Sequence, residues 1–228
     1  MKLIIISKGR RYIGIILITG AARSGKSTFA QKMAAERSIG ADGEKSRVAY
    51  LATALVGDEE MLRRVEIHRR HRPPEWINIE EPHHLCRALE GLPPSAKIIL
   101  VDCLTVWLTN LLFLYLDEEK NKGSWTQKEN SWQQGENLEI HEKGLSSLRR
   151  EEAVEKFIFA RVEEFLEKAC RFPATFIMVS NEVGWGVVPE HYLGRLFRDI
   201  AGKVNQMIAS RAEEVYLVVA GIPLKIKG

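Results

Sequence analysis

Short apolar runs alternate with amphipathic stretches along most of the chain. Runs that are mainly apolar throughout, rather than at every second position, are typical of strands with both faces covered. Such strands occur in parallel sheets between two layers of helices, so the pattern predicts an α/β fold with a mainly parallel sheet and helices on both faces. We predict strands at 15–19, 47–52, 97–101, 175–179 and 215–219, with a further short strand near 223–227.

Helices are predicted at 28–37 and 104–116. The second segment is the most apolar of the chain, but its 13 residues fall short of the roughly 20 that cross a bilayer as a helix. We therefore predict a buried helix at 104–116 and no stable membrane span.

Two segments depart from the alternating pattern. Residues 117–150 are rich in Glu, Lys, Asn, Gln, Gly and Ser, which predicts a polar surface insertion, partly or wholly disordered. Residues 1–13 form an N-terminal extension without the cleavage site of a signal peptide. It is interpreted as a disordered tail, an additional edge strand or the product of a misplaced start codon. Residues 14–228 are predicted to form a single domain.

Composition narrows the class of partner. The net charge is only +3, and no block of basic residues is present, which argues against binding to nucleic acid or to a membrane surface. The three cysteines, Cys86, Cys103 and Cys170, are widely separated and form no C-x-x-C pair. This usage is typical of a reducing compartment, so we predict a cytoplasmic protein without disulfides or a cysteine zinc site.

The segment Gly-Ala-Ala-Arg-Ser-Gly-Lys-Ser at 20–27 matches the phosphate-loop pattern G-x-x-x-x-G-K-[ST] at every position. A predicted strand precedes it and a predicted helix follows, which is the context that the motif requires; a glycine-rich turn is the alternative. Lys26 is predicted to reach the β- and γ-phosphates, and the Ser27 hydroxyl to bind Mg²⁺. The predicted nucleotide contacts of the loop are Gly20, Ala21, Ala22, Arg23, Ser24, Gly25, Lys26 and Ser27.

Polar residues follow several of the predicted strands. Asp102 comes directly after the strand at 97–101 and is predicted as the second protein ligand of Mg²⁺, the alternative being an ordinary turn at the strand end. Thr53 and Asn181–Glu182 follow two other strands. Since the carboxyl ends of parallel strands share one edge, we expect these residues and the phosphate loop to meet in a single crevice.

A predicted helix that ends before Pro73 carries a histidine with three possible roles. Met61, Val65 and His68 share one face at helical spacing. His68 is a core or capping histidine, or part of a zinc site with His71 that lacks further ligands nearby, or a nucleophile that attacks phosphorus through its neutral imidazole. The residues by themselves leave this choice open.

With these motifs together, the chain resembles the bifunctional adenosylcobinamide kinase / adenosylcobinamide-phosphate guanylyltransferase family of cobalamin synthesis. The resemblance covers almost everything from Gly14 onward except 117–150. The matching segments are 18–27, 50–54, 58–61 with His68 and Arg72–Pro73, Trp76 with 80–82, 101–112, 180–189, 195–206 and 218–227.

The resemblance implies a RecA-like P-loop NTPase with two reactions. ATP or GTP phosphorylates adenosylcobinamide, and GMP is then transferred from GTP to adenosylcobinamide phosphate through a guanylyl-histidine, which yields adenosylcobinamide-GDP. It further implies Mg²⁺ as cofactor and a homo-oligomer, a trimer in the family. The guanylylated histidine falls on His68, with His71 as the near alternative. The nucleotide contacts carried over outside the loop are Leu51, Ala52, Thr53, Arg69, Arg70, His71, Arg72, Glu80 and Asp102.

Several roles keep an alternative. Glu80 is a candidate for guanine or ribose recognition, or else a solvated carboxylate. The candidates for the corrinoid side of the crevice are Asn181, Glu182, Arg195, Arg198 and Asp199. The alternative for the two arginines and the aspartate is an ordinary salt-bridged helix face.

Two other functions compete with the bifunctional enzyme. One is a P-loop small-molecule kinase without guanylyl transfer. The other is a RecA-like ATPase acting on nucleic acid, which the absence of a basic block disfavours.

Overall fold

In the part of the chain that the structure describes, seven strands form one sheet. The computed structural model describes residues 14–40, 43, 45–55, 72–121 and 140–228, with side chains from residue 149 onward in the last range. The strands are β1 (Ile15–Thr19), β2 (Arg47–Ala52), β3 (Ile77–Glu80), β4 (Ala96–Asp102), β5 (Thr175–Val179), β6 (Glu214–Val219) and β7 (Ile222–Lys227). The helices are α1 (Lys26–Ser38), α2 (Leu85–Glu90), α3 (Leu104–Asn121), α4 (Ile140–Arg171) and α5 (Tyr192–Arg211).

The sheet has the strand order β3-β2-β4-β5-β1-β6-β7. Neighbours from β3 to β6 pair in parallel, and β7 returns antiparallel to β6 as a hairpin. Strand β5 therefore lies between β1, which leads into the phosphate loop, and β4, which ends at Asp102. The predicted α/β class and mainly parallel sheet are confirmed.

Helices cover both faces of the sheet. Along β1, Ile16 and Ile18 face α1, whereas Ile15 and Leu17 face the layer formed by the other helices. All residues of β1 and β5 are buried, which explains why these strands are continuously apolar in the sequence. The segment predicted as a buried helix at 104–116 lies in α3. In the described part of the chain, no helix is long and apolar enough to cross a membrane.

Strand β3 was not predicted. Its four residues, Ile-Asn-Ile-Glu, alternate between half-buried and exposed positions, as expected at the edge of a sheet. It is held by backbone pairing with β2, where Ala49 aligns with Ile77 and Ala52 with Glu80. Two apolar residues are too few to mark this alternation as a strand in the sequence, and the position of β3 depends on its pairing with β2.

Helices extend into the polar segment that we predicted as an insertion at 117–150. Residues 117–121 complete α3, and residues 140–150 belong to α4. The polar insertion, partly or wholly disordered, stays a prediction. From Val154 to Ala169, α4 packs its apolar side against the core, and a helix once anchored extends easily into polar sequence because only its first turn is costly. Residues 122–139, like the predicted extension at 1–13, lie outside the described residues.

Candidate active site

Four chain segments meet at the carboxyl edge of the sheet, as the sequence predicted. The backbone N–H of Glu182 donates to the carbonyl of Gly20 over 3.0 Å, which joins the end of β5 to the start of the phosphate loop. The Ser27 hydroxyl donates to Asp102 Oδ1 over 3.2 Å, and the N–H of Thr53 lies 3.4 Å from the carbonyl oxygen of Asp102. Parallel pairing brings these strand ends together although they are far apart in the chain.

The phosphate loop has a backbone that depends on glycine. Gly20 has φ +150° and Gly25 has φ +94°, and a Cβ on Gly20 would lie 2.4 Å from the carbonyl oxygen of Val218. The turn between β6 and β7 supports the loop, since the N–H of Gly221 donates to the Ser24 carbonyl over 2.8 Å. Helix α1 starts at Lys26, within the loop, so the N–H groups of its first turn lie at the same crevice.

Lys26 lies in a polar environment below the loop. Its side chain is only 6 % exposed, and its Nζ donates to the Ala21 carbonyl over 2.6 Å. Burial lowers the pKa of Lys26 below its usual value, while the neighbouring Cys103, Asp102 and Glu182 act in the opposite direction. In loops of this kind the lysine reaches phosphate oxygens, and that role of Lys26 stays a prediction.

Asp102 is held by partners on both of its oxygens. Oδ1 accepts from Ser27, and Oδ2 accepts from the Tyr50 hydroxyl over 2.7 Å. Tyr50 is 1 % exposed; this burial, together with the negative charge of Asp102, raises the pKa of its hydroxyl. A serine hydroxyl beside a carboxylate supplies the oxygen donors that Mg²⁺ prefers, so these residues fit the predicted ion.

Arg72 supports this arrangement from the side. Its guanidinium carbon lies 3.7 Å from the centroid of the Tyr50 ring, and its Nη1 donates to Asn78 Oδ1 over 3.0 Å. The side chain is buried, and its Nε has no hydrogen-bond partner among the described residues. Here Arg72 contacts the tyrosine that holds Asp102. Its predicted contact with nucleotide stays a prediction.

Four predicted site residues that precede Arg72 in the chain lie outside the described residues; they are His68, Arg69, Arg70 and His71.

The end of β2 lies beneath the site. Leu51, Ala52 and Thr53 are all buried, and the Thr53 hydroxyl exchanges hydrogen bonds with the backbone of Cys103 at 2.8 and 3.1 Å. These residues therefore support the crevice, and their predicted nucleotide contacts stay predictions. Glu80 is exposed at the same edge, aligned with Ala52 on the neighbouring strand.

A hydrogen-bond network lies where β5 ends. Glu182 Oε1 accepts from the Thr19 hydroxyl and from Asn205 Nδ2, the latter over 3.1 Å. Asn205 Oδ1 accepts from the Ser180 hydroxyl over 2.6 Å. The backbone N–H of Asn181 donates to the Thr105 hydroxyl over 2.8 Å. Asn181 and Glu182 are thus beside the phosphate loop, as expected for candidates on the acceptor side.

The three remaining corrinoid candidates lie on α5. Arg195 donates to the carbonyls of Pro189 and Glu190, so its guanidinium holds the preceding loop. Arg198 pairs with Asp199 over 3.2 Å, which is the salt-bridged helix face considered as their alternative. Among the described contacts, none joins these residues to the phosphate loop, and their role in substrate binding stays a prediction.

Sequence analysis missed Tyr50 and Asn205. Tyr50 lies inside an apolar strand and has the character of a core residue, and Asn205 lies on the buried side of α5. One signal was present: a buried asparagine must satisfy its amide, so a polar residue at an apolar helix position indicates a specific partner.

Comparison with known proteins identifies the family of the chain. A family model described as "Cobinamide kinase / cobinamide phosphate guanyltransferase" matches residues 16–226. The chain is 38 % identical over 213 residues to the "Bifunctional adenosylcobalamin biosynthesis protein CobU" of Escherichia coli (strain K12), covering 93 % of this chain and 99 % of that protein. It is 38 % identical over 212 residues to the "Bifunctional adenosylcobalamin biosynthesis protein CobP" of Pseudomonas aeruginosa, covering 93 % and 96 %.

A third relative, from Salmonella typhimurium, carries the same name as the Escherichia coli protein and is 36 % identical over 213 residues, which are 93 % of this chain and 99 % of that protein. The resemblance drawn from the motifs is confirmed by a match that spans the phosphate loop, Asp102 and the β6–β7 hairpin. The chain belongs to the cobinamide kinase / cobinamide phosphate guanyltransferase family.

Proposed function

We propose that this chain phosphorylates adenosylcobinamide with ATP or GTP and then transfers GMP from GTP to the new phosphate, which yields adenosylcobinamide-GDP. The observation that carries the proposal is the phosphate loop, in which the Ser27 hydroxyl donates a hydrogen bond to Asp102. The description of the family names both the kinase and the guanyltransferase activity. The relatives named for adenosylcobalamin biosynthesis support a corrinoid as the acceptor.

One anion site serves both reactions. In the kinase step, Lys26 and the loop amides stabilise the γ-phosphoryl group as it moves to the acceptor hydroxyl. When the α-phosphorus is attacked instead, the same groups hold the departing pyrophosphate. The acceptor has to be repositioned between the two steps, while the nucleotide phosphates stay where the loop binds them.

Ser27 and Asp102 are the residues proposed to hold Mg²⁺. Their oxygens lie 3.2 Å apart, and Mg²⁺ beside nucleotide phosphates takes one or two protein oxygens and completes its shell with water and phosphate. When bound, the ion neutralises charge that develops on the phosphate oxygens. Tyr50 fixes the orientation of Asp102 so that Oδ1 stays next to Ser27.

His68 is proposed as the nucleophile of the second reaction, and Arg69 and Arg70 as neutralising partners for the phosphate. A neutral imidazole nitrogen bonds to the α-phosphorus while the bond to pyrophosphate breaks. A phosphate oxygen of adenosylcobinamide phosphate then displaces the histidine. The family spacing from Met61 supports His68 over His71, and Arg72 brings the end of this segment to the Tyr50–Asp102 pair.

Labelling with GTP that carries a radioactive α-phosphorus tests the covalent step. The denatured parent protein should retain label that is lost in acid and stable in base, and adenosylcobinamide phosphate should discharge it. His68→Ala should lose the label and retain phosphoryl transfer to adenosylcobinamide, with His71→Ala as the matched control. Full labelling of His68→Ala, with loss in His71→Ala, would move the nucleophile to His71.

The same experiment decides between the proposal and the small-molecule kinase. A plain kinase transfers the γ-phosphate to adenosylcobinamide and never retains α-label on the protein. If the parent protein stays unlabelled both with and without adenosylcobinamide phosphate, guanylyl transfer through a histidine is refuted.

The remaining partner predictions have their own support. We propose a homo-oligomer, because the edge strand β7 exposes Ile222, Leu224 and Ile226; light scattering of a monomeric mass would contradict it. We place the reaction in the cytoplasm, where the nucleotide substrates are supplied and thiols stay reduced. The small net charge of +3 supports the absence of nucleic-acid binding, which a filter-binding assay at low salt checks.

A further inference from the structure

Two carboxylates, those of Asp102 and Glu182, lie beside the phosphate loop, and they differ in how many of their oxygens accept hydrogen bonds. Asp102 has both oxygens engaged, one by Ser27 and one by Tyr50. Glu182 has both of its hydrogen bonds on Oε1, from Thr19 and Asn205. Its Oε2 receives no hydrogen bond from the residues that the structure describes, so it is the carboxylate oxygen left to meet an acceptor.

The network around Glu182 fixes the direction of its side chain. Asn205 has a single amide orientation that satisfies all its contacts: Oδ1 accepts from Ser180 over 2.6 Å, and Nδ2 donates to the Asn181 carbonyl over 3.2 Å and to Glu182 Oε1 over 3.1 Å. Asn205 is 8 % exposed and Ser180 is 1 % exposed, so water does not compete with these bonds. A carboxylate clamped through one oxygen is preorganised to use the other.

Glu182 also lies within the electrostatic field of the phosphate site. Its backbone N–H donates to Gly20 at the start of the loop over 3.0 Å, and its charge acts on Lys26. Since Lys26 is the residue that reaches the β- and γ-phosphates, Glu182 belongs to the group of side chains around the reacting phosphoryl group.

We propose that Glu182 is the general base of the kinase step, which rests on the proposed function. As the acceptor oxygen bonds to the γ-phosphorus and the bond to the leaving nucleoside diphosphate breaks, the proton of the acceptor hydroxyl passes to Glu182 Oε2. From there the proton is released to water. The step thus forms the bond between the acceptor oxygen and the γ-phosphorus, breaks the bond between the γ-phosphorus and the leaving oxygen, and moves one proton from the acceptor oxygen to Oε2.

The second reaction needs no such base. Its acceptor is a phosphate monoester, whose second pKa is about 6, so the attacking oxygen is already ionised at neutral pH. An alcohol keeps its proton until the transition state and gains from a positioned carboxylate. Loss of Glu182 should therefore separate the two activities, although both use the same phosphate loop.

The test compares Glu182→Gln with Glu190→Gln, an exposed glutamate of the following loop. For Glu182→Gln we expect the rate of phosphoryl transfer to adenosylcobinamide to fall about 10²–10⁴-fold. Labelling by α-labelled GTP, and guanylyl transfer to separately prepared adenosylcobinamide phosphate, should stay within about threefold of the parent. Glu190→Gln should match the parent in all three assays.

Two further variants keep the test decisive. Glu182→Asp retains the charge but withdraws it by one methylene group, so its kinase rate should lie between those of the parent and Glu182→Gln. Formate added to Glu182→Ala should restore part of the kinase rate. Kinase turnover of Glu182→Gln within threefold of the parent, or equal loss of both activities in Glu182→Gln and Glu182→Asp, would overturn the proposal. A parent protein without kinase activity would instead refute the proposed function.

Discussion

Removing the Tyr50 hydroxyl tests whether Asp102, the proposed ligand of Mg²⁺, is held in place from within the core. Tyr50 is 1 % exposed, and its hydroxyl donates to Asp102 Oδ2 over 2.7 Å. In Tyr50→Phe the ring that Arg72 covers is retained, and so is nearly all of the packing volume. The substitution therefore removes one hydrogen bond and little else.

The expected loss of stability follows from the burial of the two partners. A hydrogen bond to a charged group contributes about 1.5–3 kcal/mol. Because Asp102 is only half-buried, water replaces part of the lost bond, and we expect the free energy of unfolding to fall by about 1–2 kcal/mol. At about 2–4 °C per kcal/mol for a chain of this size, the melting temperature should fall by about 2–8 °C.

Urea unfolding and calorimetric titration measure the two consequences. The slope of the unfolding free energy against urea should be unchanged, because the folded state stays compact. Removal of a residue that orients a metal ligand typically weakens the metal by about 10–100-fold, so GTP binding should need about tenfold more Mg²⁺. The matched control is Tyr216→Phe. The hydroxyl of Tyr216 donates to Glu214 over 2.8 Å, and both residues lie on β6, which β5 and β1 separate from β4.

The control should lose less than about 0.5 kcal/mol, because Tyr216 is partly exposed and water competes for its partner, and its Mg²⁺ requirement should equal that of the parent. Equal small losses in the two variants, with an unchanged Mg²⁺ requirement in Tyr50→Phe, would refute the reasoning. A double-mutant cycle with Asp102→Asn should give a coupling energy of about 1 kcal/mol.

Two further predictions concern the loop and the sheet. Gly20→Ala should weaken GTP binding more than tenfold, since the added Cβ would lie 2.4 Å from a backbone carbonyl oxygen. In the control Gly202→Ala the added Cβ meets no atom within 4 Å, so this variant should raise the unfolding free energy by about 0.5–1 kcal/mol. If the two variants changed GTP binding to a similar extent, the prediction would be contradicted. Burial alone would raise the pKa of Glu214, but hydrogen bonds from Arg37 and Tyr216 lower it overall. The stabilisation that ionised Glu214 gives the folded state is therefore present above the unfolded-state pKa and is lost as pH falls through the lower folded-state pKa. Glu214→Gln should reduce the dependence of the unfolding free energy on pH between about pH 5 and pH 3. A pH series of urea titrations measures this dependence, and an unchanged slope would contradict the prediction.

The elements with strong local signals were predictable. The run at 15–19 is apolar at four successive positions and leads into a glycine pattern that, between a strand and a helix, is typical of a phosphate loop. Asp102 was placed correctly at the crevice because a parallel sheet brings all its carboxyl ends to one edge. These inferences need only the order of residues within each segment and one rule of sheet topology.

The contacts that organise the site depend on residues distant in sequence. Tyr50 and Asp102 are 52 positions apart, and Glu182 and Asn205 are 23 positions apart. Nothing in the local pattern separates Tyr50 from an ordinary core tyrosine, since its partner is chosen by the pairing of β2 with β4, where Ala52 aligns with Asp102. The start of α4 at Ile140 was not predicted either. Its first turns are polar, and the helix is anchored by apolar packing further along its length.

The sequence by itself thus determined the fold class, the family and the phosphate-loop motif, because each is encoded in short segments whose side-chain types are constrained locally. Only the tertiary structure decided that both oxygens of Asp102 accept hydrogen bonds, whereas the hydrogen bonds to the Glu182 carboxylate both go to Oε1. That choice is made by hydrogen bonds between strands and helices that come together when the sheet assembles, and these bonds depend on distances that no local pattern contains.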